Sequence, residues 1–512
     1  MSDHMSVLSP VQTLLSELFD SDTLRTWHTA LPSVNTTPDY ARRLAAARAE
    51  TGLDESIIAG EARLRGHRLA VMACEFEFLA GSIGVAAAER LVTTIERATR
   101  ERLPLLAVTA SGGTRMQEGA LAFVQMVKIA AAIADHKRAG LPFLVYLRHP
   151  TTGGVYASWA SMGHLTFAEP AALIGFLGPR VVRALTGAAL PDHVQRAENL
   201  FDHGLIDAVL TPSELPDVLS RILDLRNRPV DRNTPATTPR IVTPAPSQPC
   251  DSWQSVLTSR EPDRLNARQL LHTLAISEVL LNGNAEGDAA QQITTMIARV
   301  GGIGCVLIAY TEDSSTTTGI GVCDIRAARR AIRVAADFAL PVVTIIDTSG
   351  AELSTAAEEH GIAGQIARCM TELVTLPTAT VSVLLGQGTG GAALALLPAD
   401  RVIATEYAWL SPLAPEGASM LVHHDLDHAQ RVAAELGIAS SVLAGHGIVD
   451  VIVGHDHCST EPLASTLRAA IGNQLRELHS QSDSDRYSDR RRRYRMLGLH
   501  PTSTLSSPQN RS

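Results

Sequence analysis

Two short stretches of this 512-residue chain carry residue types suited to holding an anion with backbone groups. TTGGVYASW runs from Thr151 to Trp159, and GTGGAALAL runs from Gly388 to Leu396. Each follows an apolar run and puts a Thr-Gly-Gly turn before a series of small residues. A helix that starts at such a turn presents N–H groups with no partner inside the helix, and its dipole adds partial positive charge there. Glycine keeps a Cβ out of the way, so a substrate oxygen can reach the backbone. Each donor aimed at a developing oxyanion contributes on the order of 3 kcal/mol to the transition state. One isolated Thr-Gly-Gly reads first as a tight strand-to-helix packing motif. The second copy changes that reading, because each lies downstream of a Ser-Gly turn: SGGTR at Ser111–Arg115 and TSGAE at Thr348–Glu352. One donor from each kind of turn can converge on one oxygen. Two such pairs would serve a reaction with two developing oxyanions.

Strands must aim these turns. LPLLAVTAS, from Leu103, is a short apolar run between turn signals and reads as a buried strand. MQEGALAFVQMVKIAAAIADHKRAG has helical apolar spacing and stops at Gly140. LPFLVYLRH is the next strand, TTGG opens a small-residue helix over VYASWASMG, and HLTFAEPAALIGF supplies further strand. The same order returns later: VVTIIDTS, a helix across EEHGIAGQIARCMTEL, then TVSVLLGQ and GGAALALL. Alternating strands and helices predict an α/β fold.

The recurrence is regular. Gly84 and Gly321, Leu103 and Leu340, Gly154 and Gly391, and Glu169 and Glu406 are each 237 positions apart. GLIDAVL from Gly204 and GIVDVIV from Gly447 are 243 apart. A near-constant offset over several motifs implies a duplicated domain. Between the copies, RNRPVDRNTPATTPRIVTPAPSQP (226–249) is dense in Pro, Thr and Arg and reads as an extended linker. The expected organisation is a domain over 1–225, a linker over 226–250, a second domain over 251–475 and a charged helical tail over 476–512.

Composition narrows the function. The net charge of −9 argues against nucleic acid as a partner. With no long charge-free apolar pattern and no signal peptide, the chain reads as cytoplasmic, with no membrane association. None of the six cysteines forms a Cys-x-x-Cys pair, so no zinc ribbon and no bound metal are expected, and the thiols read as reduced and buried. The clusters at His423–His428 and His455–Cys458 read as solvated polar surface. Arg490–Arg493, offset by Asp483, Asp485 and Asp489, reads as a charged helix that packs on a partner subunit.

These residues also carry a family resemblance. VTASGGTRMQEGALAFVQMVKIAAAI, HPTTGGVYASWASMGHLTFAEPAALIGFLGPRVV and NLFDHGLIDAVL resemble the β subunit of bacterial acetyl-CoA carboxylase carboxyltransferase. WQSVLTSREPDRLNARQLL, IIDTSGAELSTAAEEHGIAGQIA, GQGTGGAALAL and APEGAS are similar to the α subunit. The resemblance spans about residues 40 to 500 and implies a natural β–α fusion with two tandem crotonase-like domains. It implies transfer of a carboxyl group from carboxybiotin to the α-carbon of an acyl-CoA, acetyl-CoA first, giving malonyl-CoA for fatty acid biosynthesis. Gly153 and Gly154 then fall on the acyl-CoA enolate hole. Gly391 and Ala392 fall on the hole for the ureido oxygen of biotin. Gly112, Gly113, Gly350 and Ala351 are the second donors, and Arg115 meets a CoA phosphate or pairs with Glu118. Biotin itself removes the α-proton, so no catalytic His or carboxylate is required. The chain has no Met-Lys-Met biotin-acceptor motif and no ATP-grasp pattern. Biotin therefore arrives on a separate biotin carboxyl carrier protein, loaded by a biotin carboxylase subunit. The family builds each active site from two subunits, so a homo-oligomer is expected. Two departures stand out: the β subunit's four-cysteine ribbon is missing, and Ser349 and Glu352-Leu353 replace prolines and an aromatic of the α motif. A malonyl-thioester decarboxylase and a non-catalytic assembly paralogue are the alternatives.

Overall fold

The computed structural model describes residues 9–27, 31–32, 37–227, 251–311, 319–454 and 460–498. The expected linker beyond Asn227, and the His455–Cys458 cluster, lie outside them. The chain divides into two compact units, Met1–Asp224 with Ala285–Ala289, and Leu225–Asn284 with Ala290–Ser512. The excursion of five residues into the first unit has no signature in the sequence; Ala285 N–H donates to the Gly204 carbonyl at 2.9 Å.

The first unit contains Arg25–Thr26 (β1), Ile57–Leu64 (β2), His67–Cys74 (β3), Leu105–Ser111 (β4), Phe143–Thr152 (β5), Leu165–Ala168 (β6), Ile174–Gly175 (β7) and Ala208–Val209 (β8). The sheet order is β1-β2-β3-β4-β5-β6-β8, with β7 on β5. β1, β2 and β3 pair antiparallel, and every pairing from β3 onward is parallel. The second unit contains Ile276–Leu280 (β9), Ile293–Val300 (β10), Ile303–Tyr310 (β11), Val342–Thr348 (β12), Thr380–Thr389 (β13), Arg401–Thr405 (β14), Trp409–Ser411 (β15) and Val451–Val453 (β16). Its order, β9-β10-β11-β12-β13-β14-β16 with β15 on β13, repeats the first, and again only β9, β10 and β11 pair antiparallel.

Every residue of β4 and β12 is buried, which is why both read as unbroken apolar runs rather than alternating ones. The crossover helices cover the sheets. Val85–Arg100 buries Ala87, Leu91 and Ile95, and Val322–Phe338 buries Ala328, Ile332 and Ala335. Leu91 is 0% exposed, so cutting it to Ala would cost about 2–5 kcal/mol.

Two expected helices are broken. After TTGG the helix lasts only from Gly153 to Tyr156, followed by a 3₁₀ turn at Trp159–Ser161. Ser158 Oγ donates to the Gly154 carbonyl at 2.5 Å, a side-chain bond that competes with continued helix. The helix expected across 358–373 divides into Thr355–Glu359 and Ile362–Val374, with Gly361 at φ +76° between them. The stretch Met116–Arg138 is long and apolar enough by composition to cross a membrane, although the sequence reading found no such pattern. Ala122, Met126, Ile129 and Ile133 of this stretch are buried in the unit.

The charged tail is part of the second unit. Helix Asp483–Met496 packs on its own unit, with Arg486 and Arg490 buried. Arg490 donates through Nε and Nη2 to Asp400, both at 2.7 Å, and through Nη1 to the Leu376 carbonyl at 2.7 Å. Part of the arginine run is therefore interior. The cysteines Cys74, Cys305 and Cys369 are buried free thiols, and Cys323 is half-buried.

Candidate functional site

In the first unit, sheet register brings the two glycine turns together. β4 and β5 pair Thr109 with Leu147, then slip so that Ser111 faces Thr151. Both strands end there, and the chain turns at Gly112-Gly113 and at Gly153-Gly154. Gly113 has φ +107° and Gly153 has φ +67°, values at which any side chain is strained. A Cβ on Gly113 would lie 2.9 Å from the Gly154 nitrogen, and one on Gly153 would lie 2.9 Å from the Gly112 oxygen. The backbones touch, which is the physical demand behind these glycines.

The SGG turn is held from below. Ser111 Oγ donates to the Gly81 carbonyl at 2.6 Å and accepts from Gly113 N–H at 3.1 Å. Gly112 N–H donates to the Ala80 carbonyl at 2.8 Å. Ile83 N–H donates to the Gly113 carbonyl and Arg115 N–H to the Ile83 carbonyl, both at 2.9 Å. The N–H groups of Gly112 and Gly113, expected as donors to substrate, are thus taken up within the fold. Gly153 N–H is also occupied, by the Phe176 carbonyl at 2.9 Å. Among the described residues, the N–H groups of Thr114 and Gly154 are left without a protein acceptor. A Cβ on Gly154 would lie 3.8 Å from the Thr114 nitrogen, so these two donors are neighbours.

The second unit repeats the arrangement 237 positions on. β12 and β13 pair Ile346 with Leu384, then slip so that Thr348 faces Gly388. Gly350 has φ +133° and Gly390 has φ +64°. Thr348 Oγ1 accepts from Gly350 N–H at 3.0 Å, as Ser111 does from Gly113. Ile320 N–H donates to the Gly350 carbonyl and Glu352 N–H to the Ile320 carbonyl, both at 2.9 Å. Gly350, expected as a donor, is likewise occupied. Ala351 and Gly391 are the counterparts of Thr114 and Gly154, and their N–H groups have no acceptor among the described residues. By position and backbone angle the pair equivalent to Gly153-Gly154 is Gly390-Gly391, one residue earlier than the expected Gly391-Ala392. Ala392 is 0% exposed and its carbonyl accepts from Tyr310 Oη at 2.8 Å.

Arg115 does not face a ligand. It is 1% exposed, and its Nη1 and Nη2 reach Glu55 at 2.9 and 2.5 Å. Nη2 also donates to the Ser82 carbonyl at 2.7 Å, and Glu118 lies 3.5 Å from Nη1. Burial opposes its charge, and the Glu55 carboxylate more than offsets this, so the guanidinium stays firmly protonated. The expected ion pair with Glu118 is present, with Glu55 as the closer partner, and the phosphate contact is not supported: an arginine so enclosed has no face left for substrate. It braces the SGG turn instead. Glu118 caps the crossover helix, accepting from Val85 N–H at 2.6 Å and from Tyr40 Oη at 2.5 Å. Burial and that bond to Glu118 push the Tyr40 phenol up to about 12. In the second unit Asp324 fills the capping role, accepting from Gly321, Gln291 and Gln292 N–H at 2.9, 2.8 and 2.9 Å. Burial raises its carboxyl against the pull of these three donors.

Glu118 was legible as a partner three positions from Arg115, whereas Glu55 and Tyr40 carry no sequence signal, since their meeting with Arg115 depends on the fold. Thr114 and Gly390 were within reach, because the 237 offset applied strictly pairs Thr114 with Ala351 and Gly153 with Gly390. Among the described residues no three His, Cys, Asp or Glu side chains converge as a metal site. His428 instead pairs with Asp425 at 2.7 Å.

Residues 36–448 match the family model described as the carboxyl transferase domain. A probable biotin-dependent acyl-coenzyme A carboxylase beta3 subunit of Mycobacterium tuberculosis is 51% identical over 486 residues, 94% of this chain and 97% of that one. The acetyl-coenzyme A carboxylase carboxyl transferase subunits beta/alpha of Salinispora arenicola are 36% identical, over 90% of this chain and 84% of that one. Among solved structures, a chain of transcarboxylase 12S superposes with a TM-score of 0.72 at 20% identity, covering 92% of this chain and 89% of that one. At that identity the likeness speaks for the fold, two crotonase-like α/β domains.

Proposed function

The chain belongs to the carboxyl transferase domain family, and from that premise we propose that it is the carboxyltransferase subunit of a biotin-dependent acyl-CoA carboxylase, with both halves of the enzyme carried on one chain as in a β–α fusion. Acetyl-CoA is the first acceptor to test, with malonyl-CoA as product. The observation that carries the reading is the pair of glycine turns on matching strand ends of both units, with the backbones of the two turns in contact in the first.

In the first unit, Thr114 and Gly154 N–H groups receive the thioester oxygen as the α-carbon loses its proton and the oxygen gains charge. Fixed donors there need no reorganisation as the charge forms. In the second unit, Ala351 and Gly391 N–H groups receive the ureido oxygen of biotin. A Cβ on Gly391 would lie 3.1 Å from Ile366 Cδ1, so a side chain there would crowd the approach to its N–H. Carboxybiotin on its carrier protein supplies the carboxyl group and then the base for the α-proton. The residues around both turns then need only bind, orient and hold charge.

The test is malonyl-CoA loss in the reverse direction, with purified protein and free biotin or a biotinylated carrier. Loss that requires biotin is expected. Loss without biotin would replace the reading with a malonyl-thioester decarboxylase. No loss, with malonyl-CoA still bound, would make the chain an assembly subunit.

A further inference from the structure

The two units hold their matched turns by different chemistry. In the first, Thr151 Oγ1 donates to the Thr109 carbonyl at 3.0 Å and lies 3.0 Å from Thr109 Oγ1, linking the ends of β4 and β5. Ala110 and Pro150 sit beside this link with no polar side chain. The positions 237 further on are Asp347 and Gln387. Asp347 accepts a two-pronged contact from Arg264, Nη1 to Oδ2 at 2.7 Å and Nη2 to Oδ1 at 2.8 Å. Its Oδ1 also accepts from Gln387 N–H at 3.1 Å. One carboxylate therefore joins the end of β12 to the end of β13, immediately behind the TSGA and GTGG turns.

A second arginine of the same segment reinforces the grip. Arg260 donates to Glu416 through Nη1 at 2.6 Å and Nη2 at 3.1 Å, and through Nε to Gln387 Oε1 at 3.4 Å. Glu416 lies in the first turn of helix Pro415–His423. Gly386 leaves room for the grip, since a Cβ there would lie 2.6 Å from Asp347 Oδ1 and 3.0 Å from Arg264 Nη1. A planar guanidinium on a carboxylate fixes direction as well as distance, which a lysine could not do.

We propose that Arg264 and Asp347 are the positioning pair of the second glycine turn. They set the spacing of the Ala351 and Gly391 N–H groups, and so act on biotin chemistry without touching biotin. This rests on the assignment of that turn to biotin. At the position matching Asp347 the first unit carries Ala110, so the pair acts on one side of the reaction only.

The test uses the full-length protein and biotin-dependent loss of malonyl-CoA, reading kcat, the KM for biotin, the Kd for malonyl-CoA and the thermal midpoint. Asp347→Ala is expected to lower kcat about 100-fold, the effect of displacing a catalytic group by roughly 1 Å. Malonyl-CoA binding is expected to stay as in the parent protein. Arg264→Lys keeps the charge and should recover part of the loss. Gly386→Ala pushes on the pair without altering either turn and should give the same pattern, which keeps the test open if Asp347→Ala does not fold. The double variant Arg264→Ala/Asp347→Ala should be no worse than Asp347→Ala, because the two act as one unit. Unchanged kcat and biotin KM in Asp347→Ala and Gly386→Ala would overturn the proposal. So would parallel losses in biotin turnover, malonyl-CoA binding and thermal midpoint, the mark of a purely structural pair. A loss confined to malonyl-CoA binding would overturn the assignment of this turn to biotin, a pattern the other failures do not produce.

Discussion

At Gly154 the space a side chain would need is already filled: its Cβ would lie 2.6 Å from Thr114 Oγ1. Gly154→Val should displace the Thr114 donor and block access to its own N–H, lowering malonyl-CoA formation at least about 100-fold. The far-ultraviolet circular dichroism should remain that of the parent, because the residue lies at a half-buried turn rather than in a sheet. Full activity in that variant would remove the first turn pair from the chemistry. Arg115 makes the opposite prediction. Arg115→Ala would strand the Glu55 carboxylate, 3% exposed, without its partner. Denaturant unfolding should then show a loss of about 3–5 kcal/mol. If the loss appeared instead as a raised acyl-CoA KM at unchanged stability, Arg115 would be a ligand residue after all.

Each glycine turn depends on the strand that delivers it. The same slip in register, at Thr109/Ser111 in one unit and Ile346/Thr348 in the other, sets both turn pairs. The elements behind the second pair carry a pH signature. The bond from Arg260 holds the Glu416 carboxyl below its ordinary value of 4.5, against the effect of burial. A depressed carboxyl contributes stability above its unfolded pKa, and that contribution disappears as pH falls through the folded value. Thermal midpoints of the parent and Glu416→Gln should therefore differ at neutral pH and converge as the pH drops below about 4.5. A constant difference across that window would mean the Arg260–Glu416 contact is not formed in solution.

For the whole molecule, the repeated topology means that one chain carries two turn pairs on two separately packed cores. Exposed apolar side chains mark both units: Met116, Leu121, Phe123, Val124 and Val127 in the first, and Met420, Leu421, Val422 and Leu426 in the second. Single exposed hydrophobics are ordinary, but Leu121, Phe123, Val124 and Val127 share helix Gly119–Arg138, Met420, Leu421 and Val422 share helix Pro415–His423, and such runs signal a contact surface. We expect a homo-oligomer, and light scattering at native ionic strength should return a multiple of 54.5 kDa. A mass of one chain would contradict this. If the proposed function holds, the partners to add next are a biotinylated carrier and a biotin carboxylase.

The duplication, the α/β class and the two Thr-Gly-Gly turns could be read from residue types and spacing alone. Strand interiors and backbone-crowded turns constrain identity locally, and a strict offset copies that constraint into the second half. Which N–H groups remain open was decided only in three dimensions. Gly112, Gly113 and Gly350 read as donors, yet their hydrogens go to Ala80, Ser111 and Thr348. Likewise, Arg115 looks like a phosphate ligand until Glu55, sixty positions away, is seen to enclose it. The Arg264–Asp347 bond, across 83 positions, and the burial of Arg490 against Asp400 belong to the same class. Polar pairing between distant segments leaves no periodicity in the chain. It follows from which strand ends the sheet brings together, and that depends on all of the packing at once.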